Sequence, residues 1–147
     1  MRIYTIGFTK KNAKQFFELI KSNGVDLLLD VRLNNRSQLA GFTKGDDLPY
    51  FLSELCGCEY IHCPEFAPTQ EILSDYRAKR ISWQEYTDRF LGLMEQRAAS
   101  KEFWSRFADR EQVVLLCSEP TPEKCHRRLL AELFAANPVN PVEIVHL

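Results

Sequence analysis

Val113-Val114-Leu115-Leu116-Cys117-Ser118-Glu119-Pro120-Thr121-Pro122-Glu123-Lys124-Cys125-His126-Arg127-Arg128 is the stretch on which the fold turns. Val113 to Leu116 form a short apolar run rich in β-branched residues, which predicts a buried strand. Beyond Arg128, the residues Leu129, Leu130, Leu133 and Phe134 fall on one face of a helix. Thr121 suits an N-cap, Pro122 the first helical turn and Glu123 the positive end of the helix dipole, so the helix is expected to open at Thr121. The order is strand, tight loop, helix. In open α/β sheets the carboxyl ends of strands are where ligands sit.

The charges in this stretch have an unusual sign. Lys124, Arg127 and Arg128 crowd the start of the helix, where a cation costs roughly 0.3–1 kcal/mol against the dipole. Cys125 and His126 stand among them. An anion at the helix N-terminus makes sense of the cluster, because free backbone N–H groups and cationic side chains converge on it. The plainer reading is that Glu119 and Glu123 neutralise the arginines and that Cys125 is a small buried hydrophobe.

Working outward, Ile3-Tyr4-Thr5-Ile6 predicts a first strand ended by Gly7. A helix follows from Asn12, with Ala13, Phe16, Phe17 and Ile20 on one stripe and Gly24 as its stop. Val25 to Val31 is an almost continuous apolar run with Asp30 near its end, the pattern of a central parallel strand covered on both faces. Together these make a right-handed βαβ unit. Arg32 to Gly45 has no clear period and reads as a loop of the length that often carries function. Asp46 or Asp47 is expected to cap a short helix, and Cys58 to Cys63 to form a third strand ended by Pro64. Thr69 caps a helix through Lys79. Ser82 with Glu85 fits a capping box, and Ser100 is expected to start a further helix. Asn137-Pro138 ends the helix after the central motif, and Val142 to His146 make the last strand.

The bulk numbers bound the function. A chain of 147 residues fits one domain, residues 1–147, with a core of its own. A net charge of −1 gives no global field that would recruit nucleic acid or an acidic membrane. The apolar run at the start is too short for a signal peptide, and no stretch approaches the roughly 20 apolar residues of a membrane-spanning helix. Five cysteines without an export signal point to reduced thiols and a cytoplasmic location.

Several residues carry candidate chemistry. Asp30 and Arg32, two apart on an extended backbone, share a face. They can pair with each other, or serve as a base and an anion-binding fork. Cys125 with His126 can form a nucleophile and its base, with the helix start and the arginines favouring thiolate. The Cys-x5-Arg loop of cysteine phosphatases is missing. Cys56, Cys58, His62 and Cys63 invite a metal, but the one-residue gap between Cys56 and Cys58 and strand alternation disfavour zinc. Neither Gly-x-Gly-x-x-Gly nor a Walker sequence occurs, so no cofactor is expected. Trp83, Tyr86, Phe90, Phe103, Trp104 and Phe107 lie at helical spacing and are expected to be packing residues.

With these residues laid out, the chain resembles the family called domain of unknown function 488, nearly end to end. The resemblance rests on Thr5-Ile6-Gly7, on Asp30-Val31-Arg32 followed by Ser37, and on Tyr60 with His62. Its most specific part is Leu116-Cys117-x-Glu119 followed by Cys125-His126-Arg127. The family's usual Gly-His-Ser opening is Gly7-Phe8-Thr9 here, and its Leu-Gly-Gly is replaced by Glu65 to Thr69, as in a divergent branch. The resemblance implies a compact α/β domain with a shared polar site and no established activity.

The expectation is therefore a three-layer, Rossmann-like α/β/α fold with a mainly parallel sheet. Gly7, Asp30, Arg32, Tyr60, Glu119, Cys125, His126 and Arg127 would gather at strand ends. Asp30, Glu119, Cys125 and His126 would carry the chemistry, while Gly7, Arg32, Tyr60 and Arg127 would bind substrate. No metal ligand is assigned. The leading function is an enzyme acting on a small anionic ligand, a nucleotide or nucleic-acid fragment. The alternatives are a non-catalytic anion-binding or regulatory module and a thiol-based redox or sulfur-transfer protein. No membrane partner is expected.

Overall fold

A computed structural model describes residues 1–36 and 40–147; Ser37, in the middle of the expected loop, lies outside the described residues. Five parallel strands form one sheet in the order β3-β2-β4-β1-β5. They are β1 (Arg2–Gly7), β2 (Leu27–Asp30), β3 (Glu59–His62), β4 (Gln112–Cys117) and β5 (Glu143–His146). The central strands β1, β2 and β4 are the near-continuous apolar runs seen in the sequence, and Leu27, Leu28, Leu29 and Val113 to Leu116 are fully buried. This is what a strand covered on both faces requires.

Alternation along the strands divides the core. One face carries Ile3, Leu27, Leu29, Val113 and Leu115, covered by α3 (Gln70–Arg77), α4 (Trp83–Gln96), α5 (Ala99–Phe107) and α6 (His126–Ala136). The other carries Tyr4, Ile6, Leu28, Val114 and Leu116, covered by α1 (Ala13–Ser22) and α2 (Leu48–Cys56). The result is a three-layer α/β/α, Rossmann-like fold. Among the described residues no helix is long and apolar enough to cross a membrane.

The connections position the site. From β1 to β2 and from β2 to β3 the chain steps toward the β3 edge, with α1 and α2 on one face. From β3 to β4 and from β4 to β5 it steps the other way, with α3 to α6 on the opposite face. The neighbours β2 and β4 therefore send their following segments in opposite directions. A crevice opens between their carboxyl ends, the topological switch point of an open α/β sheet.

Most predicted helix starts are present. Asn12 caps α1 with a reciprocal capping box to Gln15, Thr69 caps α3, and the Ser82 hydroxyl accepts from the Glu85 N–H at 3.1 Å. Three differ. Asp47 occupies the cap position of α2, but in a helical conformation and without a side-chain bond. α5 opens at Ala99 rather than Ser100, after Ala98 in a left-handed conformation at φ 52°.

The third difference has functional weight. The last helix opens at His126, not at Thr121. Residues 120–124 fold into turns, and the Cys125 N–H donates to the Pro122 carbonyl at 3.3 Å. Cys125 itself is extended, with φ −135° and ψ 138°, which breaks the helical run and turns its side chain back toward β4. The cap and dipole preferences of Thr121 and Glu123, each of order 1 kcal/mol, yield to this arrangement.

Candidate active site at the ends of β2 and β4

Two polar clusters sit at the crevice, on opposite faces of the sheet. The first is built on Asp30, the last residue of β2, which is fully buried. Its Oδ1 accepts from Arg32 Nε (2.8 Å) and from the Arg32 backbone N–H (3.2 Å). Its Oδ2 accepts from Arg32 Nη2 (2.8 Å) and from the Tyr60 hydroxyl (2.6 Å). Arg32 also donates to the Thr43 hydroxyl (3.3 Å) and the Thr43 carbonyl (2.6 Å), and its guanidinium lies 5.3 Å from the centre of the Phe8 ring. Asn35 donates to the Tyr60 oxygen at 3.0 Å. Burial, then the neighbouring Asp30 charge, raises the Tyr60 pKa above its ordinary value. The alternation that places Asp30 and Arg32 on one face thus produces a buried ion pair, closed by residues from β3 and from the loop.

The second cluster lies on the α4/α6 face. Cys117 ends β4, Cys125 precedes α6 and His126 opens it, and all three are buried. Their ligand atoms lie within 4.8 Å of one another, with Cys117 Sγ 3.6 Å from His126 Nδ1. His126 Nε2 is 2.7 Å from the Val31 carbonyl. A carbonyl only accepts, so Nε2 carries the hydrogen and Nδ1 is turned to the sulfurs. The Phe90 ring packs against the imidazole at 5.5 Å.

Within this cluster the two thiols are placed unequally. The hydrogen bond from Cys125 and the His126 ring hold the Cys117 thiol well below its ordinary pKa, against the opposing effect of burial. Burial, and then Cys117, push the Cys125 thiol well above it. Burial alone would lower the His126 pKa, but Cys117 and the Val31 carbonyl raise it on balance. Cys117 was not among the residues expected to gather here, although its place at the end of a buried strand was the available signal.

The second cluster opens on a cavity of about 510 Å³, within the range of small-molecule sites. Cys117, Ser118, Cys125 and His126 line it, together with the aromatic residues Tyr76, Trp83 and Tyr86. Arg77, Lys79 and Lys124 supply cations, and Glu119 is the one carboxylate in the lining among the described residues. Arg32 also reaches this wall. Trp83 and Tyr86 stack at 5.0 Å, so part of the aromatic stripe expected only to pack also shapes the cavity.

The remaining predicted residues lie elsewhere. Gly7 pairs with Cys117 across the β1–β4 ladder. A Cβ there would fall 1.6 Å from the Glu119 carbonyl and 3.1 Å from Arg127 Nη1, so Gly7 lets the loop close against β1. Arg127 is fully buried and outside the cavity lining; its Nη1 donates to the Glu119 carbonyl at 2.6 Å, which holds that loop in place. His62 Nε2 donates to the Arg32 carbonyl at 2.8 Å, and Cys58 and Cys63 belong to the cores on opposite faces of the sheet.

Comparison with known proteins gives one match. The family model described as Domain of unknown function DUF488 matches residues 12–134. No curated protein and no solved structure matches the chain.

Proposed function

The chain belongs to the DUF488 family, whose name carries no activity, and from the site itself we propose an enzyme that acts on a small anionic substrate, a nucleotide or nucleic-acid fragment. The observation that carries this reading is the cavity at the β2/β4 crevice. It joins a cationic rim of Arg77, Lys79 and Lys124, an aromatic wall and a floor of Cys117, Cys125 and His126. Cations without a matching number of carboxylates favour a negative ligand, and Tyr76, Trp83 and Tyr86 offer faces to a planar group.

In this reading Arg77 and Lys124 hold the anion, and Glu119 supplies acid–base chemistry at the rim. The sulfur-rich floor meets the reacting group. Arg32 serves as a fixed wall and Arg127 as the brace of the Glu119 loop. A thermal-shift screen against nucleotides, nucleobases, sugar phosphates and short oligonucleotides tests it, run on wild type and on an Arg77→Ala/Lys124→Ala double variant. One ligand class should stabilise wild type and lose that effect in the variant. A shift that survives the double variant would move the anion to another part of the molecule.

The closeness of the Cys117 and Cys125 thiols favours a second reading, thiol-based redox chemistry. In it, peroxide takes two electrons and two protons from the pair, forming a Cys117–Cys125 disulfide and water. Mass mapping after mild peroxide treatment tests it, and a disulfide elsewhere, or none, removes it.

A further inference from the structure

We propose that Cys117, Cys125 and His126 bind one zinc ion, with its fourth position open to the cavity. The proposal rests on the reading of that cavity as the site and names the cofactor it takes.

The donor set is two sulfurs and one imidazole nitrogen, the set that selects zinc or another thiophilic ion. Two cysteines and one histidine with a vacant fourth position match the catalytic class of zinc sites rather than the closed structural class. The spacing agrees. With Zn–S about 2.3 Å and Zn–N about 2.0 Å, tetrahedral geometry puts sulfur and nitrogen about 3.5 Å apart; Cys117 Sγ and His126 Nδ1 are 3.6 Å apart. The Cys125 sulfur completes a triangle within 4.8 Å, so modest side-chain adjustment brings all three onto one ion.

The outer shell is already in place. A ligating histidine commonly donates its other ring N–H to a backbone carbonyl or carboxylate, which fixes tautomer and orientation. His126 does this to Val31 at 2.7 Å, with Phe90 against its ring. Nδ1 is therefore presented to the sulfurs before any ion arrives. Charge is consistent with burial as well. Binding releases the protons held by the two thiols and the imidazole Nδ1 to solvent, and two thiolates with Zn²⁺ and a neutral imidazole sum to zero. The backbone break at Cys125 gains a cause, since a helix continuing from Thr121 would not swing that thiol back to Cys117. All three residues line the cavity, which places the fourth position on the substrate side.

The test uses the full chain, reduced and stripped with a chelator, titrated with cobalt(II) in the absence of any anion. The expected result is one ion per chain, giving thiolate-to-cobalt charge-transfer absorption and the intense ligand-field bands of a four-coordinate site, both abolished by zinc. Cys117→Ser, Cys125→Ser and His126→Asn should each weaken uptake at least tenfold. Because such variants can lose their fold, a second readout uses wild type alone. Zinc should slow alkylation of Cys117 and Cys125, mapped by mass spectrometry, and leave Cys56 unchanged. No uptake, the pale spectrum of a six-coordinate oxygen site, or protection of Cys56, Cys58 or Cys63 instead would overturn the proposal. A flat anion screen beside a positive cobalt spectrum would remove the substrate class and keep the metal site; the opposite pair of results would do the reverse.

Discussion

The Asp30–Arg32–Tyr60 network and the Cys117–Cys125–His126 cluster stand at the same end of the sheet and differ in what is left over. Each Asp30 oxygen accepts two hydrogen bonds, so the carboxylate has no lone pair spare for a substrate proton. Arg32 uses four of its five N–H donors on Asp30 and Thr43. On the opposite face, two sulfurs and an imidazole nitrogen meet beside a cavity, with a backbone N–H of Glu119 on Cys117 and of Arg127 on Cys125 as their other partners. Both clusters read alike in sequence, as charged or reactive groups where a strand ends. Between these two clusters the difference is satisfaction: a saturated buried network rigidifies, and an unsaturated one facing a cavity is free to take a ligand.

This contrast breaks down or sharpens under substitution. The largest effect is expected for Arg32→Ala, which leaves the Asp30 carboxylate buried and unpaired; unfolding in urea should show a loss of about 3–5 kcal/mol. Tyr60→Phe removes one charge-assisted bond to Asp30 and should cost about 1.5–3 kcal/mol in the same assay. Gly7→Ala drives a methyl against the Glu119 carbonyl, and overpacking should lower stability by about 1–3 kcal/mol. Its further signature would be displacement of the loop that carries Glu119, seen as altered amide exchange over residues 118–125. The smallest effect belongs to the cavity rim. Arg77 and Lys124 are exposed, and their replacement by alanine should change stability by less than about 0.5 kcal/mol each. If the rim variants proved as costly as Arg32→Ala, the division between the two clusters would fail.

Much of the fold was legible in the sequence for a physical reason. Strands β1, β2 and β4 are covered on both faces and so must be apolar almost throughout, and a period-two pair such as Asp30 and Arg32 shares a face by geometry alone. α6 starts at His126 rather than at Thr121 because local cap preferences at Thr121 are weak beside the tertiary contacts of Cys125 and His126. Saturation of Asp30 was not legible either, since Tyr60 and Thr43 arrive from distant segments. Arg127 is expected from sequence to meet an anion with the other cations of the helix start; its full burial depends on the Glu119 loop folding over Gly7. The meeting of Cys117 with Cys125 is not legible either, because the two thiols lie across a loop whose path no local pattern fixes.

The most direct test of the central claim, that the α4/α6-side cavity is the site and the Asp30 network its frame, is the anion thermal-shift panel on wild type and Arg77→Ala/Lys124→Ala. At a hundredfold excess over Kd, binding adds about 2.7 kcal/mol, which for a chain of this size is about 5–10 °C in Tm. The account predicts such a shift for a phosphate-bearing class in wild type, its disappearance in the double variant, and nearly equal unliganded Tm values for the two proteins. A shift of the same size in both proteins, or none in either, would contradict it.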